Sequence, residues 1–140
     1  MDAQAQAQQD AEHLRLLSIF HYVVAGLMAL WACFPIIHFV VGSFLVFGKW
    51  GEGSKGGPSP ALIGGFFMLF AGAWICTGWA LAICTFIAAR RLARRQSYTF
   101  CLVIAGVMAA TCMPFGTVLG VFTIIVLMRP SVKQEFGLPV

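Results

Sequence analysis

Charge is scarce in this chain of 140 residues, of which only 10% are Asp, Glu, Lys or Arg. An ordinary soluble domain carries roughly 25%. Three long stretches, residues 16–48, 56–89 and 96–128, contain none of these four residue types. Because about 20 apolar residues cross the hydrocarbon layer of a bilayer, the pattern predicts an integral membrane protein. It leaves no room for a separate soluble domain, so we expect residues 1–140 to form a single membrane domain.

Carboxylates are rarer still, and none lies in the three stretches. The chain has five of them: Asp2, Asp10, Glu12, Glu52 and Glu135. We expect all five to lie outside the bilayer. Proton-coupled transporters usually bind the proton on an intramembrane carboxylate or a histidine relay. The composition therefore disfavours a small drug exporter built around a buried glutamate.

The cysteines show no pairing pattern. They number five and have no CxxC spacing: Cys33, Cys76, Cys84, Cys101 and Cys112. An odd count inside apolar sequence indicates reduced thiols that pack as small apolar residues. Cys101, Met108 and Cys112 would share one helix face, and soft sulfur ligands favour Cu(I). Packing is the simpler interpretation of these sulfurs as well.

Motifs that carry chemistry are also missing, since no nucleophile–base pair, phosphate-binding loop or run of metal ligands occurs. The net charge of +4 comes largely from the basic segment at residues 90–95. Basic clusters beside a membrane span set topology and contact anionic lipid headgroups. We therefore expect no enzymatic activity, cofactor, bound metal or nucleic-acid partner. Lipid headgroups are the predicted contacts of Arg90, Arg91, Arg94 and Arg95.

The apolar stretches are too long for single straight spans, so the prolines decide the path of the chain. The stretch that begins at Leu16 would form about 48 Å of helix against a hydrocarbon core of roughly 30 Å. In the preferred scheme Pro35 kinks a long helix, whereas Pro114 and Gly116 turn the chain. The result is an all-α bundle of four transmembrane helices, at about residues 14–46, 61–92, 97–113 and 115–129.

Charge asymmetry supports this scheme. Nearly all basic residues then lie on one side of the membrane: Arg15, Arg90, Arg91, Arg94, Arg95, Arg129 and Lys133. Only Lys49 and Lys55 lie on the other. The positive-inside rule makes the richly basic side cytoplasmic. A polar N-terminal tail (residues 1–12, with a helix starting near Ala11) and a C-terminal tail (residues 130–140) would both lie in the cytoplasm.

An internal similarity keeps a second scheme open. Residues 25–29 (AGLMA) resemble residues 105–109 (AGVMA), and residues 33–35 (CFP) resemble residues 112–114 (CMP). If this is a true repeat, both prolines should do the same job. The alternative is then a bundle of five spans, or one with re-entrant hairpins at the two prolines.

His21 and His38 are, thiols and phenols apart, the only ionisable groups inside the apolar stretches. They are 17 residues apart, which is about 25 Å along one helix. A bis-histidine haem would require a hairpin at Pro35 or a second protomer. The simpler expectation is that each imidazole is neutral and donates to a carbonyl or hydroxyl group.

Small residues form the strongest positive pattern. Gly116 and Gly120 make a GxxxG motif, and Gly26 and Gly106 lie in matching small-residue segments. Such positions let helix backbones approach closely within a membrane. Packing inside the bundle and packing in an oligomer both remain possible interpretations.

Four segments resemble a group of uncharacterised small bacterial multi-pass inner-membrane proteins. The C-terminal similarity lies in residues 98–103 (YTFCLV) and 113–127 (MPFGTVLGVFTIIVL). The N-terminal similarity lies in residues 13–22 (HLRLLSIFHY) and 34–38 (FPIIH). The resemblance implies a location in a bacterial inner membrane, and it implies no activity.

The expected function is non-enzymatic. We predict an accessory or scaffolding subunit that packs against a larger membrane complex or against copies of itself. One alternative is a small transporter or channel for a neutral or anionic solute, with the basic segment at its mouth. The other is a haem- or copper-binding membrane protein that uses the two histidines and the sulfurs.

Overall fold

The computed structural model describes residues 3–48, 57–111 and 114–138, with the backbone alone for residues 3, 4, 6 and 7. Within these ranges the chain contains helices and turns and no strand, which confirms the all-α prediction. The helices are α1 (Ala3–Cys33), α2 (Ile36–Phe47), α3 (Pro60–Ala93), α4 (Tyr98–Thr111), α5 (Phe115–Leu127) and α6 (Pro130–Glu135). Some residues named above lie outside the described ranges, namely Asp2, Lys49, Glu52, Lys55, Cys112 and Met113.

Two helical segments of the described chain are long and apolar enough to cross a membrane. They are Gln8–Phe47, which continues through the break at Pro35, and Pro60–Ala93. The remaining two predicted spans correspond to α4, with 14 residues, and α5, with 13. At 1.5 Å per residue these helices are about 21 Å and 20 Å long, less than the roughly 30 Å of a hydrocarbon core. Two of the four predicted spans therefore have the required length.

Both ends of the chain are more helical than predicted. α1 begins at Ala3 and not near Ala11. The residues in between are mostly Ala and Gln, which are good helix formers. In the predicted C-terminal tail, Pro130 opens α6. Proline suits the first helical position because the N–H that it lacks would have no partner there.

The chain divides into two compact units. The larger unit consists of Met1–Gly26 together with Ala82–Val140, and the smaller one of Leu27–Leu81. α1 and α3 each contribute one part to both units.

In the smaller unit, α3 packs antiparallel to the end of α1 and to α2. A Cβ atom at Gly78 would lie 2.6 Å from the Cβ of Ala32. A Cβ atom at Gly64 would lie 2.6 Å from the carbonyl oxygen of Gly42. The partner on α3 moves towards lower numbers as the chain passes from α1 to α2. The chain therefore keeps its direction through Pro35.

The backbone around Pro35 shows a kink without a reversal. Pro35 has φ −73° and ψ 0°, so it stays in the right-handed helical region while its ψ departs from the regular value of about −42°. The N–H of Phe34 donates to the carbonyl of Trp31 at 3.1 Å, and the N–H of Phe39 donates to the carbonyl of Pro35 at 3.0 Å. Regular helical bonding thus resumes directly after the proline, which itself has no N–H to donate. The predicted kink is confirmed, and the alternative in which Pro35 turns the chain is wrong.

In the larger unit, α4 and α5 form an antiparallel hairpin. The Thr117 hydroxyl donates to the carbonyl of Ala109 at 3.0 Å. Three residues later, Gly120 lies directly against Ala105 and Ala109. The chain therefore reverses between the two helices, near Pro114, as the preferred scheme predicts.

The larger unit also holds the start of α1 against the end of α3. The Ser18 hydroxyl donates to the carbonyl of Ala89 at 3.0 Å. One turn further along α1, the rings of Tyr22 and Phe86 pack at a steep angle with their centroids 5.1 Å apart. Residue numbers rise along α1 while those of the contacting residues on α3 fall, so these two segments are antiparallel.

The helices expose most of their large apolar side chains. In the most apolar 18-residue window of each long segment, 11% of the residues are buried. Leu30 on α1, Phe66 on α3 and Phe115 on α5 are 73%, 69% and 78% exposed. The buried positions, by contrast, include many alanines, such as Ala71 and Ala105. Small residues thus lie between the helices, and large apolar residues face outwards.

Candidate functional site

Five helical segments of the larger unit meet at one end: the start of α1, the end of α3, the start of α4, the end of α5, and α6. They share one apolar cluster, formed by Leu14, Leu17, Leu92, Cys101, Val126, Leu127 and Val132, with Tyr98, Leu119 and Phe136 packed against it. The charged residues in or beside these segments are Asp10, Glu12, Arg15, Arg90, Arg91, Arg94, Arg95, Arg129, Lys133 and Glu135. We refer to this region as the charged end.

Asp10 ties the first helix to the C-terminal part of the charged end. Asp10 is only 4% exposed. Arg129 donates through Nη1 to Oδ1 of Asp10 at 3.0 Å, and the Ser131 hydroxyl donates to Oδ2 at 2.5 Å. Burying a carboxylate is costly unless it is paired, and here both oxygens have a partner. Asp10 was expected in a polar tail, so this buried interaction was not predicted.

The turn between α3 and α4 has an unusual backbone. Arg95 and Ser97 adopt φ values of 53° and 55°, which are uncommon outside glycine. Arg95 places its Nε 3.3 Å from Oε2 of Glu135 on α6. Arg91 donates to the Ser97 hydroxyl, and its guanidinium lies 5.0 Å from the ring centroid of Phe100. Side chains from α3, α4 and α6 therefore hold the turn in place.

All four arginines predicted to contact headgroups are exposed. Arg91 and Arg95 are positioned by the contacts just described. Arg90 and Arg94, like Arg15 on α1, form no ion pair with any residue in the described ranges. Their guanidinium groups are therefore available to anions outside the protein.

A groove between α1 and α3 opens at the charged end. Its volume is about 480 Å³. Its lining residues are Ala11, Leu14, Arg15, Ser18, Ile19, Leu92, Ala93 and Arg95. Two of them are cationic, one is a hydroxyl residue and the other five are apolar. We refer to this feature as the α1–α3 groove.

The two histidines of the apolar stretches occupy different surroundings. His21 is 1% exposed, and its Nδ1 lies 2.8 Å from the carbonyl of Leu17. The acceptor is a carbonyl, so Nδ1 carries the proton, as expected of a neutral imidazole that donates to the backbone. His38 is exposed and lies 6.2 Å, between ring centroids, from both Phe34 and Phe67. Within the described residues no group of three or more His, Cys, Asp or Glu could hold a metal ion.

The sulfur atoms of α4 are packed inside the larger unit. Cys101 and Met108 are 3% and 1% exposed. The Cys101 thiol lies 3.8 Å from the carbonyl oxygens of Ala88 and Gln96. These two residues therefore act in packing. Cys112, the third residue of the predicted sulfur face, lies outside the described ranges.

The predicted packing glycines divide into two groups. Gly116 and Gly120 are buried within the larger unit, and Gly120 meets the backbone of α4. Gly26 and Gly106 face open space, since no described atom outside their own helix lies within 4 Å of a Cβ atom built there. One pair thus serves internal packing, and the other leaves small surface positions uncovered.

Sequence reasoning missed Gly42, which makes a close backbone contact with Gly64 in the smaller unit. A Cβ atom there would lie 2.8 Å from the carbonyl oxygen of Gly64. Gly42 stands alone in α2, with no GxxxG partner in its own helix. Its one signal was a glycine inside an apolar helix, which costs about 1 kcal/mol relative to alanine and so usually has a packing reason.

These features define an all-helical protein with two segments long and apolar enough to cross a membrane. No protein family, curated protein or solved structure matches the chain. Its function is therefore inferred from its own residues.

Proposed function

We propose that this chain is a non-enzymatic multi-pass protein of a bacterial inner membrane. It acts as an accessory or scaffolding subunit, packed against a larger membrane complex or against copies of itself. The exposed apolar surface of the helices carries the proposal. The bacterial location rests on the sequence resemblance described above.

The cost of this surface in water supports a membrane location. Leaving one large apolar side chain exposed instead of buried costs about 1.5–3 kcal/mol. Leu30, Phe66 and Phe115 represent many such side chains along α1 to α5. A core helix of a soluble protein would bury these residues, whereas hydrocarbon is a favourable solvent for them.

The hydrogen bonds of hydroxyl groups on the same helices agree with a hydrocarbon environment. The hydroxyl groups of Ser18, Thr117 and Thr123 donate to backbone carbonyls at 2.7–3.0 Å. In a bilayer no water is present to satisfy such groups, so they must find partners within the protein. Two of these bonds, from Ser18 and Thr117, also join neighbouring helices.

We assign four crossings, with the charged end and both termini in the cytoplasm. The concentration of arginine at the charged end supports this orientation. The hairpin of α4 and α5 is shorter than the hydrocarbon core, so it needs a thinned bilayer or the cover of a partner. That need favours a subunit over a protein that acts alone.

Uncovered small residues indicate where a partner helix would approach. At Gly26 on α1 and Gly106 on α4, no described atom of another helix lies within 4 Å of a Cβ atom built there. Helices in membranes associate through close backbone packing, because lipid removes most of the hydrophobic driving force. These two positions offer such packing to another chain.

The test is to extract the protein from its native membrane into lipid nanodiscs and to measure particle mass and composition. A stoichiometric larger partner, or a defined oligomer of this chain, is the expected result. Gly26→Leu should reduce that assembly, and Leu69→Phe is the control because it also enlarges an exposed position, on α3, but one that already carries a large side chain. A homogeneous monomer without partners would contradict the subunit proposal.

A further inference from the structure

We propose that the α1–α3 groove binds one anionic phospholipid, with the phosphate at Arg15 and Arg95 and an acyl chain along Ile19. The inference rests on the membrane location proposed above. It goes further by naming a specific site and the class of its ligand. Any arginine beside a membrane attracts anionic lipid without a fixed position. The groove would instead bind one lipid at one defined site.

The size and lining of the groove fit part of such a lipid. Its volume of about 480 Å³ lies in the usual range of small-ligand sites, about 300–1,000 Å³. Arg15 on α1 and Arg95 after α3 supply positive charge from its two sides, and no carboxylate lines it. Two arginines that line one groove suit a phosphate, because a guanidinium can donate paired N–H bonds to it.

Arg95 is held at the groove by its backbone and by an ion pair. Its left-handed backbone, with φ 53°, ends α3 and begins the turn to α4. Glu135 lies 3.3 Å from Nε and so restrains one edge of the guanidinium. A guanidinium has five N–H donors in all, more than this one ion pair can use, and Arg95 also lines the groove.

Arg15 adds a charge that the described protein does not neutralise. It forms no ion pair with any described residue. Glu12, one turn earlier on α1, is exposed and is not among the residues that line the groove. An anion in the groove would therefore compensate Arg15 without displacing an existing partner.

The groove changes from charged to apolar over one helical turn, which favours a lipid over a free anion. Ile19 follows Arg15 by four residues, about 6 Å along α1, and is 49% exposed. Leu14 and Leu92 form a buried apolar floor. A ligand with phosphate at one end and hydrocarbon at the other would contact both parts, whereas inorganic phosphate would contact only the first.

The experiment uses the full chain in a neutral detergent, titrated with dioleoylphosphatidylglycerol and, separately, with dioleoylphosphatidylcholine. Native mass spectrometry counts the lipids bound to each protein. We expect one phosphatidylglycerol to bind in preference to phosphatidylcholine. Arg15→Gln should weaken that first binding by about tenfold or more, the loss of a charge-assisted hydrogen-bond pair.

Arg90→Gln is the matched control. Arg90 is exposed, belongs to the charged end and forms no ion pair with a described residue, but it does not line the groove. Diffuse attraction would make both variants lose affinity equally, and that result would overturn the proposal. We expect a loss of about twofold or less for this control, because a dispersed surface charge contributes little.

Further outcomes separate the possible failures. Displacement of the lipid by inorganic phosphate, at concentrations similar to those of the lipid, would overturn the lipid assignment. Arg15→Lys, which keeps the charge, should retain part of the affinity, and it replaces Arg15→Gln if that variant unfolds. A chain that stays soluble without detergent would contradict the membrane location itself. A chain that needs detergent but shows no lipid selectivity would contradict the groove proposal alone.

Discussion

Gly120→Ala is the most direct test of how the α4–α5 hairpin is packed. A Cβ atom at Gly120 would lie 2.8 Å from the backbone nitrogen of Ala109 and 2.9 Å from its Cβ. It would also contact the carbonyl oxygen of Ala105. These atoms belong to the backbone or are fixed directly to it, so no side-chain rotation relieves the contact. The two helices must move apart.

The expected magnitude follows from two opposing terms. Forcing one extra methyl group into a close-packed site costs about 1–3 kcal/mol. Replacing glycine by alanine inside a helix returns about 0.5–1 kcal/mol. The contact at Gly120 is at the tight extreme, so the steric cost should prevail. We expect a net loss of about 1–2 kcal/mol in the free energy of unfolding.

Gly106→Ala provides the control. Gly106 lies on the same hairpin, and no described atom outside its own helix lies within 4 Å of a Cβ atom built there. This variant should keep the wild-type stability or gain about 0.5–1 kcal/mol. The assay is reversible unfolding in mixed micelles of increasing denaturing detergent, followed by circular dichroism. Equal stability of Gly120→Ala and Gly106→Ala would refute the packing of the hairpin described above.

Three further predictions concern the charged end, the hairpin and the assembly surface. Asp10→Asn should lower the free energy of unfolding by about 1–3 kcal/mol, because it weakens the buried bond from Arg129, whereas the exposed Glu12→Gln should change little. Thermal unfolding in detergent measures both variants, and similar shifts in their unfolding temperature would contradict a stabilising Asp10–Arg129 interaction. Thr117→Val should cost about 0.6 kcal/mol, a typical interhelical hydrogen bond in a membrane protein, measured by the same detergent unfolding. Gly26→Leu should keep the stability of the isolated chain but reduce particle mass in native nanodiscs, and an unchanged mass would count against this surface.

The helices themselves were largely predictable from the sequence. The long uncharged stretches of the sequence coincide with the helices. The ends of α3, at Pro60 and Ala93, each differ by one residue from the predicted range of 61–92. Composition suffices here because proline begins the helix and arginines end its apolar run. The N-terminus was less predictable, since α1 starts at Ala3 in a polar segment whose anchor, Asp10, finds its partners near the other end of the chain.

The two prolines show where local sequence is insufficient. Pro35 and Pro114 are preceded by similar residues, but only Pro114 lies where the chain reverses. The difference arises from the helix on the C-terminal side of each proline. Gly120 lets α5 fold back against α4, whereas Gly42 lets α2 continue along α3. A sequence shows that both glycines permit close contact, but the partner helix decides which direction the chain takes.

The candidate site was predictable in part. The arginines of residues 90–95 could be assigned to an interface from their position beside an apolar stretch. The α1–α3 groove could not, because it joins Arg15 to Arg95 across 80 positions of sequence. Which glycine faces inwards depends on the rotation of each helix about its axis. Composition alone does not specify that rotation, so Gly26 and Gly120 appeared equivalent.

The central claim is that the chain crosses a membrane with its charged end on one side. Gln96→Cys, at the charged end, and Ser59→Cys, just before α3, are both exposed positions that flank this helix. Sealed membrane vesicles of each orientation are treated with a membrane-impermeant maleimide, and the native chain serves as the baseline for its own cysteines. We expect Ser59→Cys to react only in right-side-out vesicles and Gln96→Cys only in inverted ones. Labelling of both positions from the same side would contradict the account.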